Sequence, residues 1–313
     1  MSEANHPAIA VIGSLNIDYF TRVEFLPSPG ETVASSGVEL FHGGKGANQA
    51  ISASRQGAKV HFFGAVGNDS EGFSYRDALS QEGIDVSHLK SVSTRTGSAF
   101  ITVDSSGENM IVIAPGANQE VAGSDIRLGA PVLQDCRALL AQFEVPSDAV
   151  LEGAKIANES NIPLIINPSP YLSTFPWHEI QTDYLIVNEG EAMDVLEFSP
   201  FSEEVTLTRQ RMHELRIECM VVTRGGDDTA VFQRDAEPLN VETLAVLPVD
   251  TVGAGDAFSG CFAARIASGT PIEEAVRAGN CAGALTTLGQ GAQDPIPDRE
   301  KVNQHLEHLS AHQ

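Results

Sequence analysis

Basic residues are the scarce charged class in this sequence. There are 19 Lys and Arg against 42 Asp and Glu in 313 residues, a formal charge of −23. A face that neutralises many phosphates of DNA or RNA needs clustered bases, so nucleic acid is excluded as a partner. The same shortage excludes attachment to an anionic membrane through Lys/Arg clusters. An anionic small substrate remains open, because a site can be locally positive inside an acidic protein. Long apolar runs are lacking too: none approaches the roughly 18 residues of a membrane span. The N-terminal MSEANHPAIAVIG has neither the basic start nor the apolar stretch of a secretory leader. Cysteine is sparse, with Cys136, Cys219, Cys261 and Cys281 and no C-x-x-C pair. In a chain of this length that pattern reads as buried reduced thiols and a cytoplasmic address. The nine histidines fall at no metal-ligand spacing and read as surface or core residues. G-x-x-x-x-G-K-[ST] is absent, which excludes a P-loop protein by motif.

What is present is the composition of a globule, 42% hydrophobic and 19% charged. The length allows one large α/β domain or two smaller ones. Short apolar runs at Ala8–Ile12, Val60–Val66, Leu139–Phe143, Leu164–Ile166, Tyr184–Val187 and Cys219–Thr223 read as strands spaced far enough apart for helices between them. Near-continuous apolar strands suit a parallel sheet covered on both faces. Val150, Ala154 and Ala157 fall at helical spacing behind Ser147 and Asp148. Ala257–Ser268 and Ile272–Leu288 are Ala-rich helices, and about Arg299–Leu309 is a polar one. Two segments, about 16–41 and 97–114, break this rhythm and read as antiparallel strands added to the main sheet as a small lid on a single domain.

Three strings carry the chemistry. In DTVGAGDAFSG, Asp250–Gly260, small residues precede an Ala-rich helix. Gly253, Ala254 and Gly255 leave N–H groups at a helix N-terminus, an anion-binding arrangement. Asp256 adds negative charge beside that anion, which makes sense for a base that accepts a proton from an attacking hydroxyl; the alternative is a helix cap. The string also lacks the third Gly of a dinucleotide fingerprint, which disfavours a dehydrogenase. In FHGGKGANQA, Phe41–Ala50, Gly43 and Gly44 permit close backbone approach, while Lys45 and Asn48 offer groups that pair buried hydroxyls. The alternative is a glycine-rich turn with a solvated Lys. In GSLNIDYF, Asn16 and Asp18 face one side at period two after the first strand, where α/β sheets bind ligands; the alternative is an Asx turn. Glu144 ends a buried-looking strand and needs a partner or a substrate hydroxyl. Asn188 and Glu191 in VNEGE suit phosphate and water-mediated Mg²⁺ contacts, or else cap a helix.

GSLNID, GGKGANQA, GENMIVIAPGAN, VNEGE, TRGG and DTVGAGD stand in the order seen in the ribokinase (PfkB-type) sugar kinase family, which the chain resembles from roughly Ile9 to Pro297. The resemblance implies an αβα sandwich with a mostly parallel central sheet and a small β-sheet lid that often clasps a second subunit, hence a homodimer. It implies transfer of the ATP γ-phosphoryl group to the terminal CH₂OH of a sugar, giving ribose 5-phosphate when the sugar is ribose. By the match, Asn16, Asp18, Gly44, Lys45, Asn48 and Glu144 bind the sugar, and Asp256 is the base. Gly253, Ala254, Gly255 and Asp256 supply the anion hole. Asn188, Thr223, Gly225, Gly226 and Asn280 hold the nucleotide, and Glu191 organises Mg²⁺. A K⁺ site falls at Asp250, Val252, Thr286, Gly289 and Gly291, mostly through carbonyl oxygens.

The sequence departs from the family at three places. Pro295 stands where ribokinases can carry Ser, and Arg224 and Gly226 differ from the commoner TLGSxG string. Rival expectations are a kinase for fructose, deoxyribose or a nucleoside, which usually lack the full GGKGANQA string, and a sugar-binding regulator without catalysis.

Overall fold

Continuous burial along short strands sets the architecture. In this computed structural model, which describes residues 6–201 and 204–310 and side chains through Glu307, residues 8–12, 139–142 and 164–167 are almost wholly buried. Residues 1–5, where the reading of the N-terminus begins, lie outside the described residues.

The strands in chain order are β1 (Ala8–Ile12), β2 (Asn16–Arg22), β3 (Val38–Gly43), β4 (Lys59–Gly67), β5 (Leu89–Val92), β6 (Gly97–Val103), β7 (Asn109–Ala114), β8 (Leu139–Gln142), β9 (Leu164–Asn167), β10 (Thr182–Asn188), β11 (Ile217–Arg224), β12 (Asp227–Gln233) and β13 (Ala236–Val241). The helices are α1 (Lys45–Arg55), α2 (Ser70–Gln81), α3 (Gly123–Leu128), α4 (Ala130–Gln134), α5 (Ser147–Glu159), α6 (Glu189–Leu196), α7 (Val205–Glu214), α8 (Ala254–Ala267), α9 (Ile272–Thr286) and α10 (Arg299–Ser310).

Among the described residues, nine strands form one sheet in the order β13-β12-β11-β10-β9-β8-β1-β4-β5. From β5 to β11 every pairing is parallel, and β12 and β13 close one edge antiparallel. Residues from α1, α2, α8 and α9 pack on one face and residues from α3 to α7 on the other. Both faces are therefore covered, as an apolar parallel sheet requires. The covered parallel sheet expected from the strand pattern, and the αβα sandwich that the resemblance implies, are both observed.

The other four strands form a separate sheet, β3-β2-β6-β7, not an addition to the large one. It is mixed: β2–β3 and β6–β7 are antiparallel as expected, but β2 and β6 run parallel, because each leaves the same carboxyl edge of the large sheet after β1 and β5. Register divides its two faces. Asp18 pairs with Phe41 and Ala99, and Phe20 with Ile101, while Ile101 pairs with Ile111; these share the face toward the large sheet. Leu40, Phe100 and Val112 share the opposite face and are 58%, 48% and 58% exposed.

Some elements differ from their sequence expectation. GGKGANQA does not form the glycine-rich turn of the alternative reading: β3 ends at Gly43, Gly44 at φ 90° turns the chain, and Lys45 already opens α1. A Cβ on Gly44 would lie 2.7 Å from Asn16 N, so the close approach and the left-handed backbone both require glycine. Helix α8 begins at Ala254 rather than Ala257, because Gly253 at φ 79° turns the chain into it. TRGG makes the hairpin between β11 and β12.

Candidate active site

The carboxyl ends of β1, β8, β9, β10 and β11 lie along one edge of the sheet, and the first turns of α1 and α8 meet above it. This is where open α/β sheets place ligands. Asp256, in the first turn of α8, is 8% exposed. Its Oδ2 accepts from Asn48 Nδ2 at 2.9 Å and its Oδ1 from Gln49 Nε2 at 2.9 Å. The side chain thus does not cap its own helix; it reaches across to α1. Asn48 is held in turn by Gln293 Nε2 at 2.8 Å, which also reaches the Tyr75 hydroxyl at 2.7 Å. Tyr75 donates to Gly43 O at 2.5 Å.

Asn16 and Asp18 lie two residues apart on β2. Asn118 fixes the first: its Nδ2 donates to Asn16 Oδ1 at 2.9 Å and to Leu15 O at 3.0 Å, and its Oδ1 accepts from Leu15 N at 2.9 Å. With its oxygen taken, Asn16 keeps its N–H₂ donors for a ligand. The Asp18 carboxylate rests on Gly43, where a Cβ would come within 2.1 Å of it. Burial pushes the Asp18 carboxyl up to about 7, and the neighbouring Glu144 and Asp256 charges push the same way. Glu144 takes the Ser14 hydroxyl and the backbone N–H of Lys45 (3.1 Å), so it sits at the start of α1, where the helix dipole favours an anion. The Asp256 charge holds the Lys45 ammonium above its usual range against the opposing effect of burial, with Glu144 and Glu191 adding to it.

Three cavities adjoin this cluster. One of about 330 Å³ is lined by Lys45, Asn188, Glu191, Gly253, Gly255 and Asp256. It shares Thr223, Thr251 and Gly255 with a more apolar cavity of about 440 Å³ bounded by Gly225, Gly226, Leu244, Val246, Phe258 and Asn280. A third, about 540 Å³, separates the small sheet (Asp18, Phe41, Ile101) from Asp250, Val252 and Gly291. Within the first turn of α8, the Ala254 N–H points to Thr251 O at 3.3 Å. The N–H groups of Gly255 and Asp256 are therefore the ones an anion would meet.

Several residues do structural work as well. Asn188 and Glu191 form a reciprocal capping box at α6: Asn188 Oδ1 accepts from Glu191 N at 2.8 Å, and Glu191 Oε2 from Asn188 N at 3.0 Å. Asn280 lines the apolar cavity, yet its amide ties α9 to Thr229 Oγ1 (2.6 Å) and to the carbonyls of Val241 and Glu242, both 3.1 Å. Its side chain shapes the wall and has little capacity left for a ligand. Thr223 Oγ1 donates to Val187 O at 3.3 Å. Arg224 turns away from the cavities, pairs with Glu189 at 3.3 Å and lies over the Phe201 ring.

Asp250 accepts from Val252 N and Gly291 N, both at 3.0 Å, and so joins the loop before α8 to the loop after α9. Gly289 lies in the same loop as Gly291, and Pro295 packs on it, 2.6 Å from where its Cβ would be. Thr286 is buried and its hydroxyl donates to Ala282 O at 2.8 Å, which leaves the oxygen's lone pairs free. One carboxylate beside neutral oxygen donors is a set that would fit a large monovalent cation. Among the described residues there is no group of three or more His, Cys, Asp or Glu that could hold a metal. A divalent ion would then rest on Glu191, water and nucleotide phosphates, as Mg²⁺ commonly does.

Sequence reasoning passed over Gln49, Gln142, Asn167 and Gln293, and gave Ser14 and Asn118 no role. Gln49, Ser14 and Asn118 stand inside the motif strings; Gln293 carries no signal of its own.

An acidic residue at a helix N-terminus lies between a polar cavity and a larger, more apolar one, an arrangement that suits phosphoryl transfer to a small hydroxylated molecule. Residues 7–299 match the pfkB family carbohydrate kinase pattern, and the chain belongs to that family. Its relatives include a Haemophilus influenzae ribokinase, 34% identical over 303 residues that span 96% of this chain and 98% of that protein. The crystal structure of ribokinase from Thermotoga maritima superposes with a TM-score of 0.86 at 33% identity, covering 96% of this chain and 99% of that one. Ribokinase from Arabidopsis thaliana, complexed with ribose and ATP, gives 0.87 at 28% identity, covering 96% and 99%. The protein is therefore an enzyme, a carbohydrate kinase. No helix among the described residues is long and apolar enough to cross a membrane.

Proposed function

We propose that this enzyme transfers the γ-phosphoryl group of ATP to O5 of D-ribose, giving ribose 5-phosphate and ADP. The observation that carries the proposal is the placement of Asp256. Amide donors pin both of its oxygens, and it borders a cavity that Lys45 also lines and that shares Thr223, Thr251 and Gly255 with the more apolar one. Ribose lies against Asn16, Asp18, Gly44, Lys45, Asn48 and Glu144. Asn16 donates to a ring hydroxyl and Asp18 accepts from others. ATP places its base in the cavity walled by Gly225, Gly226 and Asn280 and runs its phosphates past Asn188 and Thr223 to the start of α8.

Holding both substrates in line removes much of the entropic barrier. Asp256 accepts the O5 proton as the O5–P bond forms and the bond to ADP breaks. The N–H groups of Gly255 and Asp256, within the Gly253–Asp256 turn, and the Lys45 ammonium stabilise charge on the transferring group. Glu191 would hold Mg²⁺ through water, and the ion would supply charge neutralisation at the phosphates. Asp250, Val252, Thr286, Gly289 and Gly291 would hold K⁺, which would supply a fixed positive charge beside the loop that leads into the anion hole.

The whole chain acts as one kinase unit, with β2, β3, β6 and β7 as a lid that shields the reaction from water. The apolar outer face of that sheet, with Leu40, Phe100 and Val112, supports a second copy of the chain as its cover, hence a homodimer. Four buried free cysteines support a cytoplasmic address.

ADP release measured over a panel of pentoses, hexoses and nucleosides, with ATP and Mg²⁺ in K⁺ or Na⁺ buffer, tests this assignment. Ribose is expected to be fastest, and faster in K⁺. A clear win for fructose, deoxyribose or a nucleoside overturns the substrate. No ADP release with any acceptor supports the silent sugar-binding regulator instead. Equal rates in the two salts remove the cation role.

A further inference from the structure

The side chains around Asp256 are wired so that only donors can face its inner oxygen. The wiring starts at a backbone carbonyl. Ile186 O takes Asn167 Nδ2 at 3.0 Å, so Asn167 must turn Oδ1 to its other side. That oxygen accepts from Gln49 Nε2 at 3.0 Å. From the opposite direction, Gln142 Nε2 donates to Gln49 Oε1 at 2.6 Å. The two contacts leave the Gln49 amide one orientation, with Nε2 also 2.9 Å from Asp256 Oδ1. A half-turn of that amide would set its oxygen against both Asn167 Oδ1 and a carboxylate.

Gln49 and Gln142 are fully buried and Asn167 is 9% exposed, so water cannot rescue a wrong orientation. Gln142 Oε1 has no partner and lies against Gly13, where a Cβ would meet it at 2.0 Å. An unpaired buried oxygen is destabilising. The fold tolerates it, and in exchange Gln142 presents only its donor to Gln49.

We infer that Gln49 is a positioning residue for the base: fixed by Asn167 and Gln142, it holds the Asp256 carboxylate at the angle from which it accepts the sugar hydroxyl proton. The inference rests on the assignment of Asp256 under the proposed function. The other titratable groups around Asp256 are Lys45, Asp18 and Tyr75, each of which feels its charge, with Glu144 and Glu191 acting on Lys45 as well.

Two substitutions test it, with kcat, KM and the pH profile as readouts. Gln49→Met keeps the shape and removes the donor. It is expected to lower kcat by about 10- to 100-fold while KM for ribose and ATP stays within about threefold. Gln49→Glu places a second carboxyl beside Asp256, so the pair shares a proton. Its turnover is expected to be slow at neutral pH and to recover on raising the pH, with the acid limb moved up by about one unit or more. A role in folding alone would lower Tm and leave kcat and the limb in place.

Asp256→Asn is the reference. Near-native turnover in that variant sinks the base assignment and this inference with it. A crippled Asp256→Asn beside Gln49 variants with native kcat and native pH profile sinks only the positioning role. If one Gln49 variant fails to fold, the other decides; if neither folds, Gln49 is structural and the inference is wrong.

Discussion

The two halves of the site are built from different material. Around Asp256 and Asp18 the walls are side chains bonded to other side chains: Asn118 to Asn16, Gln293 to Asn48, Gln49 to Asn167 and Asp256. Around the larger apolar cavity the walls are glycine backbone and hydrocarbon, with Gly225, Gly226, Leu244, Val246 and Phe258. The same contrast holds at single glycines. A Cβ on Gly46 would strike Gly13 C and Ser14 N at 2.5 Å, whereas one on Gly255 would meet nothing within 4 Å. On the proposed function, the first half is set for the angle of a proton transfer, and the second only has to admit a long flexible ligand.

Four outcomes would break or sharpen that contrast. Asp256→Asn should leave the fold intact and lower kcat by about a thousandfold, as loss of a general base does. Turnover within tenfold of native would mean the ordered half is ordered for binding alone. Gly46→Ala should cost about 3 kcal/mol of stability, because the backbone it meets cannot yield. A denaturant midpoint equal to native would show slack where the structure has none. Gly255→Ala, by contrast, should unfold as native does yet raise KM for ATP roughly tenfold, since the new methyl group enters the phosphate path. A fall in Tm with unchanged KM would reverse the assignment of that wall.

The smallest effect concerns Asp18. Burial raises its carboxyl from 3.8 to about 7, so between those values the folded protein holds a proton that the unfolded chain has lost. The stability from that proton is fully present below about pH 4 and is lost as the pH rises through 7. Sugar hydroxyls donate to the charged form. Ribose should therefore bind about threefold more tightly at pH 8 than at pH 6 and release a proton near pH 7. Calorimetry in two buffers of different ionisation enthalpy measures that proton. Buffer-independent heats, or the same release from Asp18→Asn, would refute the assignment.

Much of the frame was legible because apolar runs announce buried strands. Ala8–Ile12 has the bounds read from sequence, and the strands through 60–66, 139–143, 164–166, 184–187 and 219–223 fall where expected with shifted ends. Helix α1 was not legible: two glycines and a Lys look like a turn until Gly43 is seen to end a strand and Gly44 to cap the helix. The strings also named most residues that line the cavities, but not what Asn280, Asn188 and Glu191 bond to. A polar residue that looks like a ligand also looks like a tie between elements, and these three are ties as well as walls. Gln142, Asn167 and Gln293 were invisible for another reason. Each ends a strand or sits in a loop far along the chain, and only the packing of α1 onto the sheet brings them to Asp256.

The join at Gly44 has a consequence for how the chain can vary in length. Strand β3 ends at Gly43 and α1 starts at Lys45, with a single residue between them. One residue added or removed there turns the whole of α1 by about 100° relative to β3. Asn48 and Gln49 would then point away from Asp256, and the chain could recover only by unpairing the strand or unwinding the helix. Insertions are therefore tolerable in the open turn at Ser105–Gly107, which joins two strands without touching the site, and intolerable at this junction. The distance between the lid and the base is counted in residues, and the count is fixed.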